Sequence, residues 1–129
     1  MSEGKNTRHR RWILTVPAEG EKGVARDTLE DALAPYESYL GQLERGKGGT
    51  DYLHWQLVLV HAEPIRFSTI KKKLPTAHVE PVRDLRASLA YVQKDDTRVE
   101  GEKPLVKGEI SPGPGRGHRS DLDELRRRI

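Results

Sequence analysis

Apolar and polar positions along the chain sort into short blocks, most with a recognisable period. Residues 11–16 (RWILTV) are β-prone, and Pro17 ends them before a Gly- and charge-rich loop, which predicts a first strand. Thr28 can cap a short helix that buries Leu29, Ala32 and Leu33, carries Glu30 and Asp31 in its first turn, and stops at Pro35. Residues 36–44 read as a strand and residues 45–51 (RGKGGTD) as a Gly-containing hairpin loop. Residues 52–61 (YLHWQLVLVH) are the most apolar segment, which predicts the central strand. After Pro64 a short helix is expected over 68–74, capped by Ser68 and basic on its outer face. A strand over 77–82 follows, then a helix over 84–94 in which Leu85, Leu89 and Val92 recur at the spacing of a buried stripe. A last strand is expected over 105–110. The order β-α-β-β-α-β-α-β predicts an α+β domain with one largely antiparallel sheet and helices covering its face.

The ends read differently. Residues 1–10 predict a flexible basic arm, residues 11–111 a single domain, and residues 112–129 a linker and the start of a helix. The linker is the string PGPGRGHR, and a capped amphipathic helix begins at Ser120. A helix that starts after such a linker and stops within three turns suggests a chain cut from something longer. No internal repeat is present.

Composition narrows the classes. The chain has 129 residues, which suits one domain with a modest core. With 34% hydrophobic and 33% charged residues that core is lean. The absence of Cys excludes disulfide scaffolds, zinc knuckles and thiol catalysis. No apolar run is long enough for a membrane-spanning helix, and the charged N-terminal segment lacks the apolar core of a secretory signal. Net charge is only +3, but the basic residues fall in blocks: residues 8–11, 71–73, 116–119 and 126–128. Positive stripes of this kind suit a polyanion, because neutralising phosphates releases counterions; they also fit solvated surface or a localisation tag.

Two constellations could carry chemistry. On a strand, His54 and Gln56 face the same side, while Leu53, Trp55 and Leu57 face the other and anchor the strand. A polar pair on so apolar a strand calls for a reason, since desolvated polar groups are costly unless bonded. An imidazole nitrogen and an amide oxygen suit Mn²⁺ or Mg²⁺ better than a closed zinc site. Gln42 and Glu44 share one face of the preceding strand and lie opposite positions 52–54, so Glu44 could supply a carboxylate. The same residues also fit the polar, solvent-facing side of an ordinary sheet. The second constellation is Tyr91 with Lys94, three residues apart on one helix face. A tyrosine can serve as a covalent nucleophile, and a cation beside it stabilises charge on a phosphate under attack; an amphipathic tyrosine beside an exposed lysine is the plainer reading. Asp95 and Asp96 follow, where acids oppose the helix dipole, and are open as ligands or as the start of a loop. His61 with Glu63 and His78 with Glu80 have the same strand spacing and are assigned to surface or DNA contacts.

Read in order, these segments resemble the nuclease domain of replication initiator (Rep) proteins of circular single-stranded DNA viruses, in the HUH endonuclease superfamily. The family's first motif, an apolar-Thr-apolar strand, is similar to Ile13-Leu14-Thr15-Val16-Pro17. Its second motif, His-apolar-Gln in circovirus-like members, is similar to His54-Trp55-Gln56, and its third, Tyr-x-x-Lys, to Tyr91-Val92-Gln93-Lys94. The flanking strings RFSTIKKKLPTAHVEPVRD and RSDLDELRR also resemble this family, so the likeness spans residue 11 to the C-terminus. The first motif departs from the family, which begins it with Phe and often closes it with paired Asn.

The resemblance implies five antiparallel strands in an HUH endonuclease, ferredoxin-like fold, with the metal pair on the central strand and helices behind. It implies a sequence-specific single-stranded DNA endonuclease and strand-transferase that nicks a replication origin through a covalent 5′-phosphotyrosine. Tyr91 would be the nucleophile and Lys94 its phosphate-positioning partner. His54 and Gln56 would hold Mn²⁺ or Mg²⁺, with Glu44 as third ligand and Gln42 or Glu37 as competitors. Arg10, Arg11, Thr15, Lys71, Lys72 and Lys73 would contact DNA. The implied partner is single-stranded DNA at an origin hairpin, the implied location the host nucleus. The domain would be monomeric, and the full-length protein oligomeric through a helicase domain. A non-catalytic nucleic-acid-binding module, or a plasmid or transposon relative with the same chemistry, are the alternatives.

Overall fold

The computed structural model describes residues 7–46 and 52–111. Eight elements follow one another: β1 (Arg8–Pro17), α1 (Arg26–Leu33), β2 (Ser38–Arg45), β3 (Leu53–Arg66), α2 (Phe67–Lys73), β4 (His78–Pro81), α3 (Leu85–Tyr91) and β5 (Leu105–Lys107). The strands form one antiparallel sheet in the order β4-β1-β3-β2-β5, so the fold is α+β with a central five-stranded sheet. The order of elements is the one the apolar pattern predicts. Among the described residues no helix is long and apolar enough to cross a membrane.

Strict alternation along β1 and β3 divides the sheet into two faces. One face carries Trp12, Leu14, Val16, Leu43, Trp55, Leu57 and Leu59, packed with Leu29 and Leu33 of α1 and Ile70 of α2. The other carries Ile13, Leu40, Val58 and Val60, packed with Leu85 and Leu89 of α3 and with Val92. The helices therefore stand on both sides of the sheet, two against one, where the sequence pattern and the resemblance placed them together. Gly41 lets β2 lie close to β3: a Cβ there would overlap the Gln56 carbonyl oxygen and the Leu57 side chain. That approach fixes the register on which the polar residues of the second face depend.

Several boundaries move from where the sequence placed them. β1 begins at Arg8, so residues 8–10, expected in the arm, belong to the strand: Arg8 and His9 pair with Arg66 and Ile65 at the end of β3, and Arg10 lies in the bulge. β3 runs on past Pro64 because the ladder is already interrupted there by a bulge between His9 and Arg11, where a missing N–H costs nothing. α1 starts two residues before Thr28, and its N-cap Ala25 makes no side-chain bond; likewise α2 starts at Phe67, ahead of Ser68. Asp84 does cap α3, accepting from Ala87 N at 3.0 Å. α3 ends at Tyr91, so Lys94 lies on the turn that follows it. The tip of the predicted hairpin loop, the start of the arm, the linker and the final helix lie outside the described residues.

Candidate active site

On the α3 face, successive inward positions of β3 run Val60, Val58, Gln56, His54. The apolar pair is covered by α3, and the polar pair lies beyond it, both residues still buried. Cross-strand partners share a face, so the register places Gln42 and Thr15 on either side of Gln56, with His78 beyond Thr15. Glu44 stands directly opposite His54. The hairpin register expected from the sequence thus brings the carboxylate to the imidazole.

Glu44 is the centre of this group. It is only 1% exposed, and its oxygens face His54 Nε2 at 3.4 Å, Gln42 Nε2 at 2.9 Å, and Lys94 Nζ at 2.9 and 3.0 Å. Burial by itself pushes this carboxyl up. Hydrogen bonds from His54, Gln42 and Lys94, together with the Lys94 charge, outweigh it and hold the group at about 2. Gln42 also donates to the Lys94 carbonyl oxygen at 2.8 Å, so one amide ties the carboxylate to the turn that carries the lysine. That turn is stitched to β2 by Arg45 N donating to Thr97 O at 2.9 Å and by a bridge between Glu44 and Arg98.

Lys94 joins the two constellations. Its ammonium lies 3.9 Å from the centre of the Tyr91 ring while it holds both Glu44 oxygens. Tyr91 itself is 49% exposed, so its ring is open to a ligand on the surface. A second tyrosine, Tyr52, is also exposed and sits 5.3 Å from the His54 ring, centre to centre. It shares the His54 face by strand alternation and stands first in the apolar run 52–61, one residue before β3 begins.

The side chains present fit a hard divalent cation. Glu44 is ionised, and the His54 Nδ1 atom is buried with no hydrogen-bond partner, which is costly for a protein left to itself. Gln56 Nε2 donates to Leu14 O at 3.1 Å, which turns Oε1 toward the Thr15 hydroxyl that donates to it at 3.1 Å. By donor type, one carboxylate, one imidazole and one amide oxygen suit Mn²⁺ or Mg²⁺ better than zinc. Among the described residues no three His, Asp or Glu side chains cluster; the set here depends on an amide. The Lys94 ammonium supplies positive charge to Glu44.

Other expected residues fall elsewhere. Glu37 precedes β2, at the end remote from Glu44, and its N–H donates to His61 Nδ1, so it does not compete as a ligand. Gln42 turns its amide nitrogen, a donor, toward Glu44 and positions the carboxylate. Asp95 pairs with Arg98 Nη2 at 2.5 Å and closes the turn. Lys71, Lys72 and Lys73 belong to α2, whose Ile70 packs on the opposite face of the sheet from His54 and Glu44. Lys71 Nζ donates to the carbonyls of Pro75 and Ala77, and Lys73 lies over the Tyr36 ring at 5.0 Å. Arg10 donates to Ala62 O at 2.7 Å from the bulge, while Arg11 is exposed at the start of the Ile13–Thr15 side of β1. No protein-family model and no curated protein matches this chain.

Proposed function

We propose that this domain is a metal-dependent tyrosine endonuclease that nicks and rejoins single-stranded DNA, in the manner of the HUH replication initiators it resembles. The observation that carries this reading is the Lys94 ammonium, within 4 Å of both an exposed tyrosine ring and a buried, ionised carboxylate that itself faces the His54 imidazole. Those parts are what transfer of a phosphoryl group to a phenol requires: a reachable nucleophile, fixed positive charge and a site for a cation.

Glu44, His54 and Gln56 would hold the cation, which when bound supplies Lewis-acid stabilisation of charge on the phosphate. The Tyr91 phenol gives up its proton to solvent, and its oxygen forms the new bond to phosphorus. The bond to the 3′ oxygen breaks with its electron pair, and that oxygen leaves protonated. The 5′ phosphate stays joined to Tyr91, and return of a 3′ hydroxyl reverses the step, so cutting and joining share one site. Lys94 offsets the charge that develops on the non-bridging oxygens. Gln42 holds Glu44 and the Lys94 turn in mutual register. The surface position of Tyr91 suits a single strand, whose backbone can bend onto it. An origin hairpin loop in a host nucleus is the setting that the resemblance suggests.

The test is cleavage of an end-labelled single-stranded DNA library with Mn²⁺ or with EDTA. The expected result is cation-dependent cleavage that is lost in Tyr91→Phe and in His54→Ala. Tight single-strand binding with no cleavage under any divalent cation would favour the non-catalytic binding module instead.

A further inference from the structure

The connection from β4 to α3 carries a feature that the nicking site does not use. Two adjacent grooves flank it, of about 370 and 350 Å³. The first runs beside Tyr91 over Ile13, Pro81 and Ser88. The second runs over Phe67 and the wall of Trp12 at the β4 edge of the sheet. Glu80, Pro81 and Arg83 line both. A third hollow, lined by Arg8, Arg10 and Arg11, shares His9 with the second.

Charge decides what these grooves accept. The two acids that line them are engaged: Glu80 meets His78 Nε2 at 2.6 Å, and Asp84 caps α3. Arg83 is exposed and, among the described residues, makes no ion pair or side-chain hydrogen bond. An unpaired guanidinium between a mainly apolar groove that ends at Tyr91 and a more polar one that leads toward the β1 arginines matches a chain with flat apolar bases on one side and phosphates on the other.

We propose that these grooves bind the stretch of single-stranded DNA next to the scissile phosphate, with Arg83 as its phosphate contact. The strand leaves Tyr91, passes Arg83 and runs toward the arginines at the start of β1. This rests on the single-strand nuclease reading, and it moves the main basic contact from the α2 lysines, behind the sheet, to the β4–α3 connection. Arg83 is a substrate-binding residue and takes no part in the chemical step.

The experiment is fluorescence anisotropy of a labelled, mixed-sequence single strand of roughly 20 nucleotides, in EDTA so that nothing is cut. Salt is varied between about 50 and about 200 mM. Arg83→Ala should weaken binding roughly threefold to tenfold and reduce the salt slope by about 0.7, the value of one phosphate contact on a single strand. Arg83→Lys should restore the slope. Lys103→Ala, a charge removed next to β5 at the other edge of the sheet, should change neither. Wild-type affinity and slope in Arg83→Ala would overturn the proposal, and adduct formation on Tyr91 would then still stand as a separate result. A loss of affinity with an unchanged slope would also overturn it, as would an equal loss in Lys103→Ala. Failure of the wild-type protein to bind single strands would overturn both readings.

Discussion

The two faces of the sheet are built from alternate residues of the same strands and have opposite characters. On the α1/α2 face every inward position of β1 from Trp12 to Val16, and of β3 from Trp55 to Leu59, is apolar and buried. On the α3 face the apolar positions stop at Val58, and Gln56, His54, Gln42 and Glu44 take over while remaining buried. The first face answers only to the hydrophobic effect. The second carries a buried charge that its neighbours hold ionised, and a buried imidazole nitrogen with no partner. Compared with well-packed apolar side chains of similar size, such buried polar groups bring a domain with so lean a core little net stability, although breaking the network by removing one of its charged members is costly. The difference separates a face held by packing alone from one that joins packing to a buried polar network, where the proposed chemistry would lie.

Substitutions on the two faces should separate accordingly. The largest effect is expected from His54→Ala, which should lower Mn²⁺-dependent cleavage by at least about 100-fold, read as single-turnover rates, with little change in urea midpoint. On the other face Leu57→Ala, at a fully buried position, should cost about 2–5 kcal/mol in urea unfolding. Protein of that variant that remains folded should still bind Mn²⁺ in calorimetry.

Acid sharpens the contrast from the polar side. The Glu44 carboxyl is held at about 2 against an ordinary 4.5, so its contribution is fully present above about 4.5 and is lost as pH falls toward about 2. For metal-free protein that contribution is on the order of 3 kcal/mol, and a fall in Tm over this range should be flatter in Glu44→Gln. The smallest effect is expected from Gln42→Ala. Loss of its bonds to Glu44 and to the Lys94 carbonyl should cost about 1–2 kcal/mol and weaken cation binding, measured together by thermal melts with and without Mn²⁺.

Much of this arrangement was legible in the chain, and the exceptions have physical reasons. Period-two alternation in residues 11–16 and 52–61 identified β1 and β3, and the short loop between β2 and β3 placed Glu44 opposite His54. An amphipathic stripe such as Leu85, Leu89 and Val92 says that a helix buries one side, but not against which face of a sheet. For that reason the separation of α3 from α1 and α2 emerged only from packing. The same ambiguity hid the position of the three α2 lysines behind the sheet. Thr28 and Ser68 looked like caps, yet the helices begin earlier because the Leu29 and Ile70 contacts, rather than a capping bond, set their ends. Arg83 is a single residue in a connection, without a period to mark it, and alternation gives Tyr52 a face but no role. The dual role of Gln42 depends on which end of its amide faces Glu44, which spacing does not encode.

The most direct measurement is peptide mapping by mass spectrometry of the covalent protein–DNA adduct formed with Mn²⁺ on a cleavable single strand. The account predicts one nucleotide-modified peptide carrying a phosphotyrosine at Tyr91, present in wild type and in Tyr52→Phe, absent in Tyr91→Phe and absent in EDTA. An adduct on Tyr52, or strand cleavage that persists in Tyr91→Phe, would contradict it.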